Sequence, residues 1–304
     1  MLSFRVDATC LADTVSRVID EYNGIRYTLQ LHRDSAGYPA FYHAYVFTPV
    51  CEDNLCKPVY IDLYWDLIGN YLRYEVPLDK PLTKLDHAPF RPEEYRRFQE
   101  ILADSASLLK DYQIEELVES TTRAKPGGEV DGITGATAKS LQAVVIPGAL
   151  YTCYTLWHIV HGRVQDTIAK VTDSLASGPL MAHFLRSGNH RYQHYALDRL
   201  LDGQGQIETG FEEDVVGLIG SSNIFLALRV LKEVDPDYLH DANRQRWLGT
   251  VFLNANYRLQ LALLKKLEGI PITHGLRRTL ETHQRDFNEE IATKIKMLLN
   301  KKQA

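Results

Sequence analysis

The chain has 304 residues, 45% of them hydrophobic and 24% charged, with a formal net charge of −5. That length exceeds one typical domain, so two are expected, each with enough apolar residues to bury a core. The acidic balance and the lack of a dense Lys/Arg cluster exclude a surface that tracks phosphates, so no nucleic-acid partner is expected.

Residues 12–22 read as a short amphipathic helix with Val15, Val18 and Ile19 on one side. Residues 26–32 alternate as a strand, 41–47 form an aromatic-rich second strand and 59–65 a third. Gly69-Asn70 supplies a turn before a fourth alternating run at 71–76. Turns rather than long crossovers separate these runs, which predicts a small antiparallel twisted sheet. Trp65, Tyr71 and Tyr74 stand out as large aromatics near its last strands, suited to line a planar ring or to fill the core.

Residues 79–92 hold three prolines and read as a loop. A helix then runs from about Arg91-Pro92 to Ala103, with Glu93 and Glu94 in its first turn. Residues 105–109 and 114–120 look like further short helical pieces, and Lys125-Pro126-Gly127-Gly128 is a flexible lead-in. Residues 141–160 lack Asp, Glu, Lys and Arg, but they contain Pro147 and Gly148 and several polar groups. A buried helix interrupted at Pro147 accounts for this stretch better than a membrane span.

Four cysteines are too few for a disulfide scaffold. Cys51 and Cys56 lie in a polar segment between Pro49 and Pro58, where a tight disulfide or two free thiols are both compatible with the spacing. Cys153 reads as a buried small hydrophobe. His158 and His161 lie three apart on a helix, a spacing open to metal or haem ligation but more often found in ordinary packing and helix-end capping.

Between the proline-glycine lead-in and the apolar stretch stands Asp131-Gly132-Ile133-Thr134-Gly135-Ala136-Thr137. The heptad fits D-x-x-[ST]-G-A-[ST], and average residue usage makes a chance match in this length about one in a thousand. Gly135 and Ala136 leave little bulk beside Thr137, and Gly135 can take a positive φ. A helix-compatible run with Lys139 follows, which would set an anion on Thr137 near a helix N-terminus. The simpler alternative is that Thr134 or Thr137 only caps that helix.

The heptad resembles the flavin-acceptor motif of the FMN-binding domain family, and the surrounding order of sheet, helix, loop and helix over residues 25–160 is similar. The resemblance implies FMN joined to Thr137 by a phosphoester, with Asp131, Thr134, Gly135 and Ala136 forming the rest of the cofactor-binding set and no metal. It also implies a flavin transferase for maturation, a redox protein partner such as a cytochrome or reductase, and an association with a membrane complex. The site of action would be extracytoplasmic (periplasmic) if a native leader has been removed, since residues 1–7 do not read as a signal peptide, and cytoplasmic otherwise.

From about residue 165 helical patterns take over. The segments 195–201, 226–232 and 261–267 echo one another, with Ala-Leu pairs roughly thirty residues apart. That period resembles stacked HEAT-type helix pairs; an irregular bundle is the alternative. The predicted fold is therefore α+β: an FMN-binding domain with a small antiparallel sheet over 1–162, then an all-α helical-repeat domain over 163–304. The function this implies is electron transfer between protein partners. Two other readings stand beside it: a helical-repeat scaffold with a flavin-free N-terminal module, and a flavin-dependent reductase of a small substrate. An intact Thr137 argues against the first, and the second requires a cavity with a proton donor beside the flavin. A cofactor-free enzyme such as a hydrolase ranks behind both.

Overall fold

The computed structural model describes residues 25–50, 57–84, 87–111, 113 and 144–300 in full, together with the backbone of 12–20. The chain divides into two compact units, Met1–Leu175 and Ala176–Ala304. The α+β class expected from the pattern of strands and helices is what the two units present.

The first unit is built on a five-stranded antiparallel meander in the order β1-β2-β3-β4-β5. Its strands are β1 (Ala12–Asp20), β2 (Arg26–Arg33), β3 (Pro39–Thr48), β4 (Val59–Trp65) and β5 (Tyr71–Glu75). Strands β2 to β5 fall where alternation placed them. Strand β1 is a correction, because the segment read as an amphipathic helix pairs antiparallel with β2 through a bulge between Asp13 and Arg17. Thr14, Val15, Val18 and Ile19 are β-branched, and a helix this short is marginal without packing. A sheet edge that satisfies its backbone groups outweighs the helical periodicity.

Alternate residues of the strands face one core. Tyr27, Leu29 and Leu31 of β2, Tyr42, Ala44 and Val46 of β3, and Ile61, Leu63 and Trp65 of β4 are all buried. Against that face lie α1 (Pro92–Ala103), α2 (Leu150–His161) and α3 (Arg163–Leu175). Polar links fix the helices on the sheet. Trp65 Nε1 donates to Val160 O at 3.0 Å, and Gln165 Nε2 donates to Gly69 O at 3.1 Å. The Thr172 hydroxyl donates to Leu67 O at 2.6 Å and takes a hydrogen bond from Tyr42 Oη at 2.9 Å. Gly69, at φ +86°, closes the β4–β5 turn, and the buried Asp66 carboxylate holds that turn by accepting from the Ile68 and Asn70 N–H groups.

The expected interruption at Pro147 is present. Residues 146–149 form a turn with Gly148 at φ +78° before α2 begins. Near 105–109 the chain forms a 3-10 turn, Leu108–Asp111. The expected helical piece at 114–120 lies outside the described residues.

The second unit contains α4 (Gly178–Arg186), α5 (His190–Leu200), α6 (Glu212–Gly217), α7 (Ile224–Glu233), α8 (Ala242–Asn254), α9 (Tyr257–Leu267), α10 (His274–His283) and α11 (Glu289–Asn300). Successive helices pair, and the pairs stack: α4 lies against α6 and α8 against α10, while α7, α9 and α11 pack in series. Arg229 of α7 joins this series to α5, bonding His194 Nδ1 at 2.9 Å and the Asp198 carboxylate. Helices α5, α7, α9 and α11 each start at an asparagine whose side chain accepts from a first-turn N–H: Asn189, Asn223, Asn256 and Asn288. The same capping chemistry therefore recurs once per helix pair.

Candidate functional site

Asp131, Thr134, Gly135, Ala136 and Thr137 lie outside the described residues, as do Lys139, Cys51 and Cys56. What is described is the frame on either side of the heptad. On its N-terminal side, residues 102–109 are held against α2 by three ring N–H groups. Trp157 Nε1 donates to Asp104 O at 2.9 Å, His158 Nε2 bonds Leu109 O at 3.1 Å, and His161 Nε2 bonds Leu102 O at 2.9 Å.

On the C-terminal side, Ile146 N–H donates to Cys153 Sγ at 3.5 Å, and Ala149 N–H donates to Ile146 O at 2.9 Å. A Cβ on Gly148 would stand 3.5 Å from Lys84 Cβ, which places the turn against the loop before α1. Lys84 Nζ in turn donates to both oxygens of Glu94 at 2.9 and 3.2 Å. Burial disfavours the Glu94 anion, but hydrogen bonds from Arg91 N–H and from the Lys84 and Arg91 side chains outweigh it and bring the carboxyl down to about 2.

The two histidines of α2 dock the chain that follows α1. His158 and His161 spend Nε2 on backbone carbonyls, and burial lowers both below the ordinary imidazole value. Among the described residues no group of three or more His, Cys, Asp or Glu is placed to hold a metal. Cys153 is fully buried, and burial pushes its thiol up to about 12, so it is an inert packing residue.

The three aromatics suited to a planar ring turn out to be core and helix-docking residues. Trp65 has no exposed surface. Tyr71 Oη donates to Gln99 Oε1 at 2.7 Å and Tyr74 Oη to Tyr95 O at 2.8 Å, both on α1. Their residue types suited either role; the register of β4 and β5 aims them at α1 and α2.

A cluster that sequence reasoning did not single out lies on the opposite face of the sheet. His32 and Phe41 stack in parallel with centroids 4.6 Å apart, and His43 sits between His32 and Tyr64 at 5.5 and 4.8 Å. His43 Nε2 meets Asp62 Oδ1 at 2.7 Å, and the Arg73 guanidinium lies 3.7 Å from the Tyr64 ring centre. Burial, then Glu75, pushes the Tyr64 phenol up to about 12. Burial, then His43, lowers the His32 imidazole, whose Nε2 is buried without a hydrogen-bond partner among the described residues. The signal was present in Phe41-x-His43-x-Tyr45-x-Phe47, whose ring-bearing residues share one face of a strand at period two.

In the second unit a cleft of about 490 Å³ opens between the starts of α7 and α9, lined by Ser221, Ser222, Thr250, Asn254 and Asn256. No helix among the described residues is long and apolar enough to cross a membrane. No protein-family model matches the chain, and no curated protein or solved structure matches it significantly.

Proposed function

We propose that this protein is an electron-transfer flavoprotein that carries FMN in phosphoester linkage to Thr137. The observation that carries this reading is the heptad 131–137, with its hydroxyl acceptor, two small residues before it and the aspartate six positions upstream. A threonine hydroxyl is a weak nucleophile, so a separate transferase must activate the reaction. In that step Thr137 Oγ attacks the FMN phosphorus of FAD. The new P–O bond forms as the pyrophosphate P–O bond breaks, AMP leaves, and the hydroxyl proton passes to a base of the transferase.

The acceptor set fits this group by its chemistry. Gly135 and Ala136 allow a bulky phosphoester beside the backbone, and the apolar run after Thr137 is compatible with a helix start that favours an anion. Once attached, the flavin supplies the redox chemistry, and the protein tethers and presents it. The recurring asparagine caps at Asn189, Asn223, Asn256 and Asn288 support a HEAT-like reading of the helical unit. Such a unit gives a redox protein partner, a cytochrome or a reductase, an extended surface on which to dock.

The test is co-expression with a flavin transferase followed by intact and peptide mass spectrometry. The expected product carries the mass of FMN less one water on the peptide holding Thr137, and Thr137→Ala abolishes it. Unmodified protein, under conditions that label a control acceptor, refutes the proposal.

A further inference from the structure

Trp157, His158 and His161 project their ring N–H groups from one helix onto one short stretch of chain, the carbonyls of Asp104, Leu109 and Leu102. A carbonyl only accepts, so each imidazole must carry its hydrogen on Nε2, which leaves Nδ1 bare in the neutral ring. The Nδ1 of His161 is buried and has no hydrogen-bond partner among the described residues. Protonation would create there a buried cationic N–H with nothing to accept it, a costly arrangement in a low-dielectric setting. The Trp157 ring packs against both imidazoles, with centroids 5.0 Å from His158 and 4.6 Å from His161.

We propose that these three side chains form an acid-sensitive latch that holds residues 102–109 against α2 when the imidazoles are neutral and releases them when they are protonated.

The surrounding charges do not cancel the effect. Asp104, in the chain after α1, favours the cation at His161, and His158 opposes it. The elements packed against the pair also bring Arg97 and Glu100 from α1, Lys110 and Asp111 from the 3-10 turn, Cys153 and Tyr154 from α2, and Arg163 and Asp166 from the start of α3. Burial is the largest influence on both imidazoles and lowers both, against the hydrogen bonds to Leu109 and Leu102 that raise them. The released state therefore binds more protons than the latched one. The latch is at full strength above the ordinary histidine value and weakens as pH falls through the lowered values. The latched stretch leads toward the segment that holds Thr137, but the inference does not depend on a flavin.

Hydrogen–deuterium exchange of the full chain tests it, with rates corrected for the intrinsic pH dependence of exchange. From pH 7.5 to pH 5, protection of a peptide covering 103–111 is expected to fall, because the released imidazoles take up protons that the latched ones resist. A peptide from α3 should hold its protection. The double variant His158→Gln/His161→Gln keeps two N–H donors that do not titrate, and its protection should be the same at both pH values. The latch is overturned if wild-type protection of 103–111 is unchanged at pH 5, or if it falls equally in the double variant. Should that variant fail to fold, NMR titration of the wild-type imidazoles decides: values below 6.5 for His158 and His161 support the latch, and values at or above 6.5 overturn it.

Discussion

Replacing Glu94 by Gln removes one charge from a buried junction and changes little else in shape. The carboxylate is 7% exposed and accepts from Arg91 N–H at 2.7 Å, from Lys84 Nζ at 2.9 and 3.2 Å, and from the Arg91 guanidinium at 3.2 Å. Its carboxyl falls from 4.5 to about 2, and at about 1.4 kcal/mol per unit this gives about 3 kcal/mol before screening. The Arg91 side chain is 65% exposed and that of Lys84 21%, so solvent screening reduces the contribution to about 1–2 kcal/mol. Because the folded value is the lower one, this stability is present above pH 4.5 and is lost as pH falls toward 2. Urea unfolding at pH 7, 5 and 3 should therefore show Glu94→Gln less stable by about 1–2 kcal/mol at pH 7, with the gap narrowing by pH 3. A gap constant across the three pH values, or none at pH 7, would refute the assignment of the stability to ionised Glu94.

Asp131→Ala should reduce flavin labelling by a transferase while leaving the circular dichroism and melting temperature unchanged; undiminished labelling rejects a role for Asp131 in acceptor recognition. Thr172→Val removes the buried hydroxyl that bonds both Leu67 O and Tyr42 Oη in the core of the first unit and should cost about 2–4 kcal/mol. Adding Tyr42→Phe should cost less than the single variants imply, and strict additivity in a double-mutant cycle would argue against the shared hydrogen bond. Gly205→Ala meets two obstacles, a φ of +85° and an added Cβ only 2.5 Å from Glu233 O and 2.7 Å from Asp235 N. A loss of about 3 kcal/mol or more is expected in urea unfolding, and a change under about 1 kcal/mol would contradict that packing.

Strands β2 to β5 were legible because alternate residues such as Leu29 and Leu31, or Ile61, Leu63 and Trp65, enter one core at period two. Helix α1 announced itself through Pro92 and the acidic residues of its first turn, and the helical unit through echoes a little over thirty residues apart. The heptad 131–137, too, is a property of the sequence alone. Tertiary structure decided what local pattern left open. Residues 12–20 joined a sheet edge because ladder hydrogen bonds outweigh a short helix's periodicity. Trp65, Tyr71 and Tyr74 went to the helix-covered face because the register of β4 and β5 set their direction. His32, Phe41, His43 and Tyr64 met across three strands, and His158 and His161 met carbonyls 49 and 59 residues earlier in the chain. Residue type determines what a side chain can do, whereas its partner depends on strand register and helix packing, which arise only when distant segments share a core.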